Sequence, residues 1–211
     1  MKNKISLPTS ETFHVKAKIF DINGEYAEKT IEDEDTIYDV TDTKTVNKKR
    51  NEGYTERKVN IDGVTHDVLI RKVIKKVHAF PRNGLNQPLI PLGTTRGYIT
   101  GVLVAVARNI GVQQGELLYG ILSWLHNGGA KIAPHWVACP VKEVKTADFF
   151  VKEAKSKIYY EQIPETTIEF DVNVIPRNGF NADLVKELLK RGEGVGISPK
   201  RRGRYEIVEF S

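Results

Sequence analysis

The sequence predicts an α+β fold in which an antiparallel sheet carries its helices on one face. Three observations carry that prediction: alternating apolar residues mark strands near both ends of the chain, two apolar helical stripes lie between them, and a third, capped helix stands just before the last strand. The chain has 211 residues, 40% hydrophobic and 28% charged, enough apolar content for a folded core. No apolar run approaches the roughly 20 residues of a membrane span, so no membrane partner is expected. Residues 1–10 lack the apolar stretch of a secretory signal. The single cysteine, Cys139, excludes a disulfide framework and a Cys-clustered zinc site, and points to a reducing, cytoplasmic setting.

Taken in order, residues 13–20 set Phe13, Val15, Ala17 and Ile19 against His14, Lys16, Lys18 and Phe20, a half-buried strand. Asn23-Gly24 marks a turn. Residues 25–53 are polar and acidic and predict an insertion or mobile loop. Residues 54–61 and 64–70 flank Asp62-Gly63, a hairpin signal because that pair tolerates positive φ. Residues 69–80 fit a helix stripe through Leu69, Val73 and Val77, or a strand by their β-branched content; the strand is favoured. Residues 93–111 predict a helix capped by Thr94 or Thr95 and closed by Gly111. Residues 113–126 predict a second, ended by Asn127-Gly128-Gly129. Residues 133–142 read as a strand or a buried loop, and 148–160 are mixed. Residues 167–175 alternate as a strand. Asn181 caps a helix holding Leu184, Val185, Leu188 and Leu189, with Gly192 as its left-handed terminator, and residues 205–210 form a final strand.

Pro81-Arg82-Asn83-Gly84 recurs as Pro176-Arg177-Asn178-Gly179. Each copy follows a strand-like run and precedes a helix. Two readings stand: two similar turns with positive φ at Asn-Gly, or two related β-α-β halves of an elaborated ferredoxin-like fold. The expected organisation is one elaborated ferredoxin-like (RRM-like) domain over residues 1–211. Residues 21–80 form a polar, thumb-like insertion, and 167–211 the C-terminal β-α-β part with a Gly-rich basic loop.

Charge is unevenly spread. The net charge is +5. Residues 25–42 are acidic, while 44–82 and 186–204 are basic. A basic block is either a solvated face or a polyanion surface, and an acidic block beside it can pair with a second copy of the chain. The densest block lies near the end, where Gly194, Gly196 and Gly203 bracket Lys200, Arg201, Arg202 and Arg204 before Tyr205. Glycines admit a ligand close to the backbone, cations suit phosphate oxygens, and Tyr205 can stack on a base. This is not a P-loop, because no Gly-Lys-Ser/Thr follows and the glycines come after the helix. Lys48, Lys49 and Arg50 add a basic cluster on the insertion.

The terminal loop resembles the signature of the RAMP superfamily of CRISPR-associated proteins: Gly194-Val-Gly196, then Lys200 to Arg202, then Gly203-Arg204-Tyr205, close to the chain end. Ile90-Pro91-Leu92-Gly93-Thr94-Thr95-Arg96-Gly97-Tyr98 is similar to the Pro-x-Gly-Ser/Thr-x-x-Arg/Lys-Gly turn that opens a helix in backbone subunits of CRISPR effectors. Together the two cover about a third of the chain. Arg204 and Tyr205 follow Gly203 directly, where the family has Gly-aromatic-Gly. The resemblance implies an RRM-related fold that binds CRISPR guide RNA through its backbone, as a subunit of a ribonucleoprotein with other effector subunits or copies of itself as partners. Arg96, Lys48, Lys49, Arg50, Gly194, Gly196, Lys200, Arg201, Arg202, Arg204 and Tyr205 would make the contacts, without catalysis. Two alternatives accompany it: a metal-independent endoribonuclease processing CRISPR RNA, with His14 as general base, and a viral protein that binds or imitates CRISPR effector subunits.

The remaining chemistry-bearing residues are weaker signals. His126 and His135 flank a glycine turn and could serve as a metal or acid/base pair, but no third ligand accompanies them. His66 and His78 lie in basic surroundings suited to phosphate. Trp124 and Trp136 read as core anchors, and Cys139 as a buried small residue. No nucleophile elbow, zinc-protease helix or dinucleotide fingerprint is present, and no cofactor or metal is expected.

Overall fold

The computed structural model describes residues 9–93, 97–111, 115–140, 144–151, 156–193 and 203–211. Among the described residues ten strands and four helices follow in chain order: β1 (Glu11–Asn23), β2 (Ala27–Tyr38), α1 (Thr43–Asn51), β3 (Thr55–Ile61), β4 (Val64–Ala79), β5 (Leu89–Pro91), α2 (Tyr98–Gly111), α3 (Gly115–His126), β6 (Ala130–Ala133), β7 (Trp136–Ala138), β8 (Lys145–Val151), β9 (Ser156–Val174), α4 (Ala182–Gly192) and β10 (Arg204–Phe210). The fold is α+β. Strand pairing runs β10-β1-β9-β4-β2, with β3 on β4 and with β6 and β8 on β9, while β5 and β7 form a separate pair. The chain divides into two compact units: Met1–Ala27 with His78–Asp148 and Tyr160–Ser211, and Glu28–Val77 with Phe149–Tyr159. The second takes in residues 149–159, beyond the 21–80 insertion read from the sequence.

In the first unit β10, β1, β9 and β6 lie side by side in that order, all antiparallel. Register explains the core. Phe13, Val15 and Ala17 stand opposite Val172, Phe170 and Ile168, so one face is apolar throughout. That face buries against Ile99, Val102, Leu103 and Val106 of α2 and Val185, Leu188 and Leu189 of α4. Burying each such aliphatic side chain is worth about 1.5–3 kcal/mol, which makes this layer the dominant stabilising element of the unit. The lone Cys139 is part of the same core, 1% exposed.

Helix α4 begins as predicted, with the Asn181 side chain accepting from the Leu184 amide at 3.1 Å. Its end differs. Gly192 is the last helical residue rather than a left-handed terminator. It is glycine because a Cβ there would collide with Val102 and the Tyr205 hydroxyl.

The second unit corrects the reading of residues 25–53 as a loop. They form β2 and α1, and three of the acidic residues form ion pairs with side chains of β4. Lys75 pairs with Asp33, Arg71 with Asp35 at 3.4 Å and His66 with Asp39 at 3.1 Å. The Lys75 ammonium holds the Asp33 carboxyl below its ordinary range. Part of the acidic block is thus paired with the basic block within one chain. Helix α1 buries no residue and owes its start to Asp42, whose carboxylate accepts from the Thr45 amide at 2.9 Å. Lys48, Lys49 and Arg50 fill its last turn, where cations suit the helix dipole.

The repeated tetrapeptide adopts two conformations. At the second copy Asn178 and Gly179 take φ of 52° and 84°, and the Arg177 and Phe180 amides and carbonyls exchange hydrogen bonds of 2.9 Å, a two-residue hairpin turn. At the first copy the Asn83 side chain instead accepts from the amides of Leu85 and Gln87, and Arg82 reaches the buried Glu161 carboxylate at 2.6 Å. Identical sequence serves a hairpin in one place and a buried ion pair in the other.

Candidate anion-binding cavity

Within the first unit a cavity of about 500 Å³ opens between α2, the C-terminal end of α3, the 127–129 turn and β6. Its walls are largely apolar, with Val104, Ala105, Leu125 and Ile132 among them. Four nitrogen-bearing side chains line it: Arg108 from the last turn of α2, His126 at the end of α3, Lys131 on β6, and His135. Among the described residues no carboxylate lines it. Among the described residues none of the four is in an ion pair. Gly93 also lines the cavity, and the Leu92 amide donates to the His135 carbonyl at 2.8 Å. All four side chains are exposed, so they present their nitrogens to solvent at the cavity wall, where the Arg and Lys cations attract anions.

The predicted site residues are dispersed by comparison. Arg96, Gly194, Gly196, Lys200, Arg201 and Arg202 lie outside the described residues. Lys49 pairs with Glu52 at 2.8 Å and Arg50 with Glu56 at 2.7 Å, so of the three helix cations Lys48 alone is without an ion pair among the described residues. Arg204 is exposed, its guanidinium 5.0 Å from the Phe20 ring centre. Tyr205 does not offer a stacking face: it is 1% exposed and its hydroxyl donates to the Leu189 carbonyl. Burial and the Glu193 charge push its phenol well above the ordinary value.

His14 stands on the polar face of the sheet, with Nδ1 2.8 Å from Asp171. Lys16 pairs with Glu169 at 2.9 Å beside it. The same face carries Lys18 and Arg204 but also Glu165, Glu206 and Glu209 at directly opposed register positions. Five carboxylates against three permanent cations make it a poor surface for a polyanion. His66 faces Asp39 and His78 stacks on Tyr160 at 5.2 Å, so neither is poised for phosphate. Trp124 is a core anchor, but Trp136 is 37% exposed and meets Tyr26 edge-on. Among the described residues no three His, Cys, Asp or Glu side chains converge as a metal cage requires, and no helix is long and apolar enough to cross a membrane.

Sequence reading singled out His126 and His135 but missed Arg108 and Lys131. Arg108 reads as an ordinary last-turn cation and Lys131 as an isolated strand residue; only the fold brings them beside the histidines. No protein-family model matches the chain, and no curated protein matches it.

Proposed function

We propose that this protein binds RNA through its phosphates, as a diverged ferredoxin-like relative of the RAMP superfamily acting in a CRISPR ribonucleoprotein. The cavity with Arg108, Lys131, His126 and His135, and with no carboxylate among its described lining residues, carries the reading. Support also comes from strand order. β10-β1-β9-β6 with a helical crossover between β1 and β6 and another between β9 and β10 is the arrangement of a β-α-β-β-α-β ferredoxin-like sheet. In sequence the Gly-rich basic loop follows α4 close to the chain end, as the resemblance to that superfamily implies for its RNA-binding loop. Contact is to the backbone, so base identity matters little.

The test is RNA affinity of the full chain across a salt series. The logarithm of the association constant should fall by roughly 0.7 per contacted phosphate for each tenfold rise in salt. Lys200→Ala/Arg201→Ala/Arg202→Ala and Arg108→Gln/Lys131→Gln should each weaken binding and flatten that slope. Salt-insensitive binding to one short sequence would overturn the reading. The endoribonuclease alternative draws on the His14–Asp171 contact, which would orient the imidazole as a base. Metal-free cleavage of a hairpin RNA, lost in His14→Ala, would favour it.

A further inference from the structure

We infer that the cavity continues across the Asn127-Gly128-Gly129 turn into a second subsite at Arg177, so that a single-stranded polynucleotide is held over two consecutive phosphates. This rests on the RNA-binding reading and adds a direction and a length to it. Three observations carry it.

The first is continuity. Gly128 lines both the 500 Å³ cavity and a neighbouring groove of about 250 Å³ whose walls include Trp124, Asn127 and Arg177. The second is the bare backbone between them. Gly128 has φ of 80°, and a Cβ on Gly129 would collide with the Trp124 indole, so no side chain rises from either position. The Lys131 stem lies against this ridge instead. Its Cε is 3.0 Å and its Nζ 3.9 Å from where a Cβ on Gly128 would stand, which sets the ammonium beside the boundary of the two spaces.

The third is how Arg177 is held. The doubly hydrogen-bonded Arg177–Phe180 turn fixes its backbone. The Trp124 indole donates to the Ile175 carbonyl at 2.9 Å and ties α3 to the strand that leads into that turn. Among the described residues the Arg177 guanidinium is in no ion pair, and no carboxylate lines the groove. A third hollow of about 190 Å³, with no carboxylate among its described lining residues, adjoins it at Asn127 and Arg177. A phosphodiester chain presents one charge per nucleotide and needs cations in series, as Arg108, Lys131 and Arg177 provide. Trp124 is 6% exposed and offers no ring face, so the second subsite reads phosphate and not base.

Binding of uridine monophosphate and of a fluorescein-labelled octauridylate to the full chain separates the possibilities. Arg177→Gln should weaken the octamer about tenfold, lower its salt slope by roughly 0.7, and leave the monophosphate unchanged. Arg177→Lys should recover most of the loss. Arg108→Gln should weaken both ligands. Melting curves check that each variant is folded. If Arg177→Gln leaves octamer affinity and slope unchanged while Arg108→Gln reduces them, the second subsite is wrong and RNA binding in the cavity stands. If the parent ignores both ligands but binds a polyglutamate peptide, the RNA reading and the subsite fall together.

Discussion

The polar face of the sheet and the cavity carry the same kinds of side chain with different company. On the sheet Lys16 and His14 meet Glu169 and Asp171 across the β1–β9 register, and Lys18 stands opposite Glu206. In the cavity Arg108, Lys131, His126 and His135 are in no ion pair among the described residues, and no described carboxylate lines the wall. A paired cation has its field spent on its neighbour and contributes to the fold. An unpaired cation on an apolar wall keeps its field for a ligand. On the proposed reading, pairing and not local abundance of Lys and Arg separates structural charge from ligand-binding charge in this chain. The second unit makes the same point, since Asp33 and Asp35 of β2 pair with Lys75 and Arg71 of β4.

The comparison can be broken most forcefully at Arg82. Glu161 is 1% exposed, accepts from the Phe80 amide at 3.0 Å and pairs with Arg82. Arg82→Ala leaves that carboxylate buried without its cation and should cost about 2–3 kcal/mol of stability, somewhat less than a fully buried pair because Arg82 is partly exposed. A chemical-denaturation midpoint measures it; RNA affinity of the folded fraction should not change. Next comes Arg108→Gln/Lys131→Gln, with the opposite signature. Stability should hold within about 0.5 kcal/mol, while RNA affinity falls tenfold or more, a loss of at least about 1.4 kcal/mol of binding free energy. Tyr205→Phe follows. It orphans the Leu189 carbonyl and should cost about 1 kcal/mol in thermal stability without touching RNA binding, whereas a loss of affinity would return Tyr205 to the site.

The smallest effect belongs to Lys16 and Glu169. The Lys16 ammonium holds the Glu169 carboxyl below its ordinary value of 4.5. A depressed carboxyl stabilises the fold above its unfolded value, and that contribution is lost as the pH falls through the lower folded value. Melting temperatures of the parent and Glu169→Gln should therefore differ slightly at pH 7 and converge as the pH is taken well below 4. A difference that persists there would mean that Glu169 acts through packing and not charge.

Legibility followed periodicity. The alternation at Phe13–Ile19 and Ile168–Val174 is legible because one face of each strand is buried and the other wet, and α4 because Asn181 caps an apolar stripe. Helix α1 was hidden: with no buried residue it has no periodicity, and its only signal is Asp42 before Thr45. Strand β2 was hidden because its charges satisfy partners on β4, far along the chain, so acidity mimicked a loop. The cavity was half visible. His126 and His135 stand out by rarity, but Arg108, Lys131 and Arg177 become a group only through tertiary placement, and Tyr205 passed for a ligand contact because a buried aromatic and a stacking one look alike in sequence.

Cys139 has a practical consequence. It is the chain's one thiol, buried, with its amide tied to the Pro88 carbonyl at 2.8 Å, and burial pushes the thiol up to about 11. Thiolate, not thiol, attacks a disulfide reagent, so modification must wait for the interior to open. The residue is thus a built-in stopwatch: the rate at which a disulfide reagent colours the native protein, compared with the unfolded chain, reports how often this layer breathes. The same silence makes the wild-type chain a clean background on which a single engineered surface cysteine becomes the sole labelling position.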